Sequence, residues 1–258
     1  MDKEQKLYRY LKICPSYPTT KNFLTLKFSS PSTLNDPFEF LIGKIQNITK
    51  EQADDFVKRK GLCLKKTVQG INQYFENEQE AILKKQYECL KNHIRIICFS
   101  TDNSNILMWS HYTNNHTGFV IEYDIDKIMR RFEENKCPIC LSPVQYSFDM
   151  PSIRNLIFLN ELERGKEIYK VICTKAINWN YENEWRLIVS DFSRNLNEDE
   201  HIYLPIKSEE IKNIYFGVRC PQEDINRIRS ISEKLEINCS FFKASINKEH
   251  YKLDFTKI

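Results

Sequence analysis

An α+β fold, with a mixed and mostly antiparallel sheet and helices inserted between its strands, is what this sequence predicts. Three observations carry that prediction. Strand-like and helix-like segments are interleaved without the regular strand–helix–strand rhythm that a parallel sheet needs. No Gly-x-Gly-x-x-Gly follows a strand and no phosphate-binding P-loop is present, which argues against a Rossmann site. The chain has 258 residues, 41% hydrophobic and 28% charged, enough for a proper core and unlike a disordered chain. With only 6 Gly and 9 Pro, no repeat and no low-complexity linker, residues 1–258 read as a single domain.

Each element follows from its local pattern. Leu7 to Ile13 alternates and predicts a first strand, followed by a short helix from Thr19 or Thr20 and a second strand over Leu24 to Phe28. Ser29 to Pro37 is rich in Ser, Pro, Asn and Asp and reads as a loop. Thr49 with Gln52 is a capping-box pattern that opens a helix through about Lys60. Thr67 to Asn92 is polar with spaced apolar residues and few breakers, so it reads as helical. Ile94 to Ser100 is a near-continuous apolar run, as in a central strand. A short helix over Asn105 to Tyr112, a strand over Gly118 to Asp124 and a helix over Asp126 to Glu134 come next. A brief strand over Pro143 to Tyr146 then leads to a long helix over Ser152 to Thr174. The strand opening at Glu184 is followed by strands at Ile202 to Pro205 and Ile214 to Gly217, a helix from Pro221 to about Leu235, and closing strands near Cys239 to Phe242 and Tyr251 to Phe255.

Lys plus Arg (38) barely exceeds Asp plus Glu (35), so the chain lacks the basic excess of a dedicated nucleic-acid binder. Basic clusters at Lys58-Arg59-Lys60, Lys65-Lys66 and Arg130-Arg131 read as solvated helix faces. The polar start and the lack of a long apolar window predict no signal peptide, no membrane span and a cytoplasmic location. Nine cysteines then suit a reducing compartment, with no disulfide framework. Cys137-Pro138-Ile139-Cys140 lacks a second ligand pair at zinc-site spacing, so no metal is expected.

Four stretches carry the candidate chemistry. In Trp179 to Val189, strand alternation puts Glu184, Arg186 and Ile188 on one face and Trp185, Leu187 and Val189 on the other. If the extended geometry reaches back to Glu182, two carboxylates and a guanidinium align. Charges on a half-buried strand either pair with each other or line a cleft. In Ser29 to Glu39, Asn35 and Asp36 before Pro37 form either a rigid turn or a rim loop that contacts a ligand. Ser100, at the end of the Cys98-Phe99-Ser100 strand, either satisfies local backbone groups or faces a cleft. In Ile106 to Gly118, Met108, His111 and Tyr112 share a helical face with Trp109 nearby. Such a stripe is core or pocket, and His111, Tyr112 and His116 need hydrogen-bond partners in either case.

Taken together these stretches resemble a bacterial family, the domain of unknown function 2971. The resemblance rests on Leu7-Tyr8-Arg9-Tyr10, Ser30 to Glu39, Cys98-Phe99-Ser100, Met108 to Gly118 and Trp179 to Arg186, with Lys175 ahead of the last motif. It spans about Leu7 to Gly217 and leaves a helix and strands over 218–258. A looser similarity is to the ADP-ribosyltransferase superfamily: an early aromatic strand, a later hydroxyl and Glu-x-Glu opening a late strand. That resemblance implies a split, twisted sheet that holds NAD as substrate and breaks its bond to nicotinamide, in toxin or phage-defence biology. Glu184 would then stabilise the cation that develops on the ribose, and Glu182 would orient or deprotonate an acceptor, protein or nucleic acid. Tyr8 or Tyr10 would flank nicotinamide, Ser100 would support Glu184, and Arg186 would hold a phosphate or lock Glu184. Asn35, Asp36, Trp109, His111, Tyr112 and His116 complete the expected binding set. Only Ser100-Thr101 matches the transferases' Ser-Thr-Ser element, and Arg9 faces opposite to Tyr8 and Tyr10 on an extended strand.

The competing reading is a non-enzymatic module whose Trp, Tyr, His and Glu residues bind a nucleotide-like ligand, a nucleic acid or a peptide. A nuclease ranks last, because no Asp and Glu cluster with a nearby Lys is evident.

Overall fold

Eight strands form the central sheet, in the order β14-β13-β12-β5-β1-β4-β10-β6. The computed structural model describes residues 5–61, 67–135, 139–190 and 201–258. In chain order the first elements are β1 (Leu7–Leu11), β2 (Thr25–Phe28), β3 (Lys44–Ile45), α1 (Lys50–Lys60), α2 (Val68–Asn77), α3 (Gln79–His93), β4 (Ile94–Ser100) and α4 (Ile106–Tyr112). Next come β5 (Phe119–Tyr123), α5 (Ile125–Glu134), β6 (Ile139–Pro143), β7 (Gln145–Ser147), β8 (Ser152–Ile153), α6 (Glu161–Ile172), β9 (Thr174–Ala176) and β10 (Glu184–Ser190). The chain closes with β11 (Ile202–Pro205), β12 (Ile211–Phe216), α7 (Gln222–Lys234), β13 (Ser240–Ile246) and β14 (Leu253–Lys257). Within the large sheet only β12 and β13 run parallel, with α7 as their crossover, so the sheet is mostly antiparallel as expected.

The sheet has apolar residues on both faces. Leu7, Phe99, Ile121, Leu187 and Phe216 pack with α5, α7 and β2 into the largest core. On the opposite face Ile94, Ile96 and Ile188 pack with residues of α3 and α6, while Tyr8, Tyr10, Val120 and Tyr215 pack with Met108 and Trp109 of α4. The alternation read along β10 is realised: Leu187, Val189 and Trp185 join the first core and Ile188 the second. Among the described residues no helix is long and apolar enough to cross a membrane.

Local pattern and structure differ mainly in where helices begin and end. The expected helix after Thr19 closes a single turn, in which the Asn22 and Phe23 amides donate to the Thr19 carbonyl at 3.2 and 3.0 Å, before β2 begins at Thr25. The stretch Thr67 to Asn92 is helical as read, in two helices that meet at Glu78, where ψ is 8°. The helix expected over Ser152 to Thr174 begins only at Glu161. Asn160 starts a capping box there with Glu163, and β8 and a 3-10 turn take up the residues before it. The Thr49–Gln52 box forms as read. The seven described cysteines are free thiols, while Cys137, Pro138, Lys65 and Lys66 lie outside the described residues.

Candidate functional site

The central sheet forks. β1 pairs with β5 over five positions, but it meets β4 only where Tyr8 faces Ser100. Past that pair the strands part, and the free edge of β4 is taken by Ser29, whose amide donates to the Ile96 carbonyl at 2.8 Å. A cleft of about 200 Å³ opens at the fork, lined by Tyr8, Tyr10, Asn35, Glu39, Cys98, Ser100, Met108, Tyr112, Lys175, Glu182 and Glu184. On the other side of Ser100, β10 pairs with β4 so that Glu184 faces Ser100. Tyr8, Ser100 and Glu184 therefore stand in one row across three neighbouring strands, and directly opposed residues share a sheet face.

Behind the cleft wall lies a buried ion cluster. Glu184 is 3% exposed and Arg186 fully buried. The Arg186 guanidinium donates through Nε to Glu184 Oε1 at 2.7 Å, through Nη2 to Glu184 Oε2 at 3.2 Å and to Glu39 Oε1 at 2.8 Å, and through Nη1 to the Ile172 carbonyl. The Lys175 ammonium donates to Glu182 Oε2 at 2.6 Å and Glu184 Oε2 at 3.0 Å and lies 3.4 Å from Glu39 Oε1. The Tyr112 hydroxyl donates to Glu182 Oε1 and accepts from the Asn35 carboxamide at 2.8 Å. The one carboxylate oxygen of the cluster left without a partner is the buried Oε2 of Glu39.

Burial and charge pull the three carboxyls apart. Burial would raise Glu184, but Arg186 and Lys175 outweigh it and hold the group at about 2, fully ionised near neutral pH. Burial raises Glu39 above the usual carboxylate range against the pull of Arg186, and Glu184 beside it adds to the rise. Glu182 is raised by burial and by Glu184 in spite of Lys175. Burial disfavours the Lys175 ammonium, yet Glu184, Glu182 and Glu39 together keep it charged well above the ordinary lysine range. Carboxyls of different proton affinity in one cleft are the usual ingredients of acid–base chemistry.

Most of the residues singled out from the sequence line this cleft. Tyr8, Tyr10, Asn35, Ser100, Tyr112, Glu182 and Glu184 do so. Glu182 arrives by a different route from the extended one considered. Residues Ile177–Glu182 form a 3-10 turn, and Asn183 at φ 45° turns the chain into β10. Ser100 Oγ also accepts the Asp102 amide at 3.1 Å, so the hydroxyl serves the local backbone as well as facing the cleft. Five residues do not reach the cleft in the expected way. Arg186 is sealed behind Glu184, with every guanidinium nitrogen engaged, and so locks that carboxylate rather than meeting a phosphate. Trp109 is fully buried, its indole donating to the Asn103 carbonyl at 2.7 Å. His111 is exposed beside Tyr181 instead of sharing the inward face of Met108 and Tyr112, because the buried face of α4 is centred toward Trp109 and leaves His111 at its edge. His116 lies against a different cavity, with its ring stacked on Trp109. Asp36 is buried, with Oδ1 accepting the Phe38 amide at 2.9 Å: the rigid turn that Asn-Asp-Pro suggests.

Residues 108–187 match the model of a family described as Protein of unknown function (DUF2971). No curated protein and no solved structure matches the chain. The matched segment runs from α4 into β10 and brings Met108, Tyr112, Lys175, Glu182 and Glu184 to the cleft and Arg186 to the ion cluster behind it. The rest of the wall named above, Tyr8, Tyr10, Asn35, Glu39, Cys98 and Ser100, comes from residues before the match. Glu39 and Lys175 were present in the motifs without a role, and both are central to the cluster. A lone charge between two aromatic residues in Phe38-Glu39-Phe40 is the signal Glu39 carried, although only Phe40 of the two is buried, and the sequence around Lys175 carries no comparable signal. Among the described residues no group of His, Cys, Asp or Glu is placed to hold a metal ion.

Proposed function

We propose that this protein cleaves the nicotinamide–ribose bond of NAD, as a transferase or glycohydrolase, in the cleft at the sheet fork. The observation that carries the reading is the row Tyr8–Ser100–Glu184, in which an ionised, immobilised carboxylate and an aromatic ring flank the same opening. As nicotinamide leaves with the bonding electron pair, positive charge develops on the ribose. A carboxylate already desolvated and aligned favours that charge without reorganising. Lys175 and Arg186 keep Glu184 ionised and fixed in place. Glu182, with its raised proton affinity and its contact to Tyr112, is suited to take a proton from water or from an acceptor hydroxyl. Rings of Tyr8, Tyr10 and Tyr112 supply an apolar wall for the nicotinamide, and Lys27 at the same cleft supplies positive charge for the pyrophosphate. The sheet split between β1 and β4 supports an ADP-ribosyltransferase-like architecture.

A second reading, a binding module without turnover, is favoured by one specific fact: both Glu184 oxygens are already consumed by Lys175 and Arg186. On that view the cluster staples β10 to the loop around Glu39, and the cleft binds a nucleotide-like ligand. Incubation of purified protein with NAD, with nicotinamide release followed by chromatography, separates the two. Release above the uncatalysed rate that disappears on Glu184→Gln supports cleavage. Saturable NAD binding with no release from the parent protein supports the module.

A further inference from the structure

Trp109 packs against one residue of each of two cavities and lines neither. Its ring meets Tyr10 of the cleft edge-on at 5.5 Å, and it stacks on His116 with ring centres 6.3 Å apart and planes 9° apart. His116 belongs to a second cavity of about 530 Å³, which Arg219, Lys248, Tyr251 and Lys252 also line. That volume lies within the usual range of small-molecule sites.

Three features of this cavity are unexplained by the chemistry at the fork. First, His116 Nδ1 is buried and has no hydrogen-bond partner. Burial, with Arg219 nearby, lowers the proton affinity of the ring, so it is neutral near pH 7 and offers one donor and one acceptor nitrogen. The backbone that presents it is costly to hold. Asn114, Asn115 and His116 are successive left-handed residues at φ 52°, 56° and 68°. Gly217 allows this, since a Cβ there would lie 2.1 Å from the His116 carbonyl oxygen. The same carbonyl accepts the Arg219 amide at 3.0 Å, which ties the positions of His116 and Arg219 together. Second, the charge is lopsided: Arg219, Lys248 and Lys252 line the cavity against the single carboxylate of Glu249. Lys252 has only a loose pair with Asp254 at 3.9 Å, and the Arg219 and Lys248 side chains have no ion-pair partner among the described residues. Third, the Tyr251 ring stands fully exposed at the cavity.

We propose that this cavity is a binding site for a phosphate-bearing aromatic ligand of mononucleotide size, with the phosphate on Arg219 and Lys248, the ring on Tyr251 and a hydrogen bond to the His116 imidazole. Arg219 brings a planar fork that matches phosphate oxygens, and Lys248 adds a mobile point charge. An exposed tyrosine stacks on a base of any identity, so the site selects for phosphate and ring rather than for one base. The ligand is either a free nucleotide or the phosphorylated end of a strand, since both present the same groups. The site does not depend on NAD cleavage at the fork.

Calorimetric titration at low salt with AMP, adenosine and a 5′-phosphorylated oligonucleotide tests this. AMP, the oligonucleotide or both should bind, and adenosine should bind at least about tenfold more weakly than AMP because it lacks the charged group. Binding of AMP alone marks a free nucleotide as the ligand, and binding of the oligonucleotide alone marks a strand end. The exposed double change Arg219→Gln with Lys248→Gln should weaken the binding at least about tenfold, and Tyr251→Ala should weaken it further. The charge-matched control Lys58→Gln with Lys60→Gln should bind as the parent does. The proposal is overturned if neither phosphorylated probe binds, if the Arg219/Lys248 variant binds as tightly as the parent, or if the control loses as much as that variant. In the last case the binding would be a diffuse effect of net charge.

Discussion

Replacing Glu184 with Gln removes one charge from a cluster of three carboxylates and two cations while keeping its shape and most of its hydrogen bonds. The group is held from an ordinary 4.5 down to about 2. Each pH unit of such a depression is worth ~1.4 kcal/mol, so the charge contributes about 3 kcal/mol at neutral pH. The loss on substitution should be smaller than that. Glu184 is one of the charges that raise Glu39, so once it is gone Glu39 ionises more readily and takes over part of the pairing with Arg186 and Lys175. A cost of about 1–3 kcal/mol corresponds to a melting temperature lower by roughly 2–12 °C in a chain of this size. The sign with pH follows from the depressed value. The contribution is complete above the unfolded value and is lost as pH falls through about 2, so parent and variant should converge in acid and differ most near neutrality. The companion assay is nicotinamide release, where loss of an aligned charge in the transition state costs roughly a hundredfold or more. The double variant with Glu39→Gln should lose more stability than the two single variants added together, because each single change leaves the other carboxylate to compensate. A Glu184→Gln protein that melts like the parent at pH 7 and gains nothing by comparison in acid would refute the account of the cluster. Undiminished nicotinamide release would refute the catalytic role even if the stability result holds.

Three further outcomes follow from the geometry. Nicotinamide release should fall in acid along a limb lying above the ordinary carboxylate range, because Glu182 must be ionised to accept a proton and its affinity for one is raised; Glu182→Gln should abolish the limb with the activity, whereas survival of the same limb assigns it elsewhere. Tyr112→Phe removes the hydroxyl that donates to Glu182 and accepts from Asn35, so the limb should move to higher pH with a stability loss of about 1–3 kcal/mol, and an unmoved limb would separate Tyr112 from the proton chemistry. Gly118→Ala should fold poorly or melt many degrees lower in a thermal scan, since its Cβ would sit 2.2 Å from the Leu11 carbonyl oxygen and 2.9 Å from Thr113 Cβ, and a wild-type melting curve would show that β1 and β5 can part there.

Local chemistry made the strands and several helix starts readable. The capping pairs act within one turn, so Thr49 with Gln52 could be placed from spacing alone. Period-two alternation put Glu184 and Arg186 on one face of β10 before any partner was known. Family motifs brought Tyr8, Ser100 and Glu184 to attention together, but nothing in their spacing says that they stand in one row. That follows from strand order and register, which depend on long-range pairing among β1, β4 and β10. Helix interruptions at Glu78 and before Glu161 were hidden because the helical pattern of a sequence continues across a break that only the surrounding packing imposes. The separation of the histidines has the same origin. His111 and His116 are five residues apart, yet the exposed end of α4 and three left-handed residues send one to solvent and the other to a second cavity. The sequence by itself determined which residues carry charge and hydroxyls within apolar runs. Only the tertiary structure decided which of them share a low-dielectric wall, and so which carboxyl stays ionised, which is pushed toward its proton and which guanidinium is sealed away from any ligand.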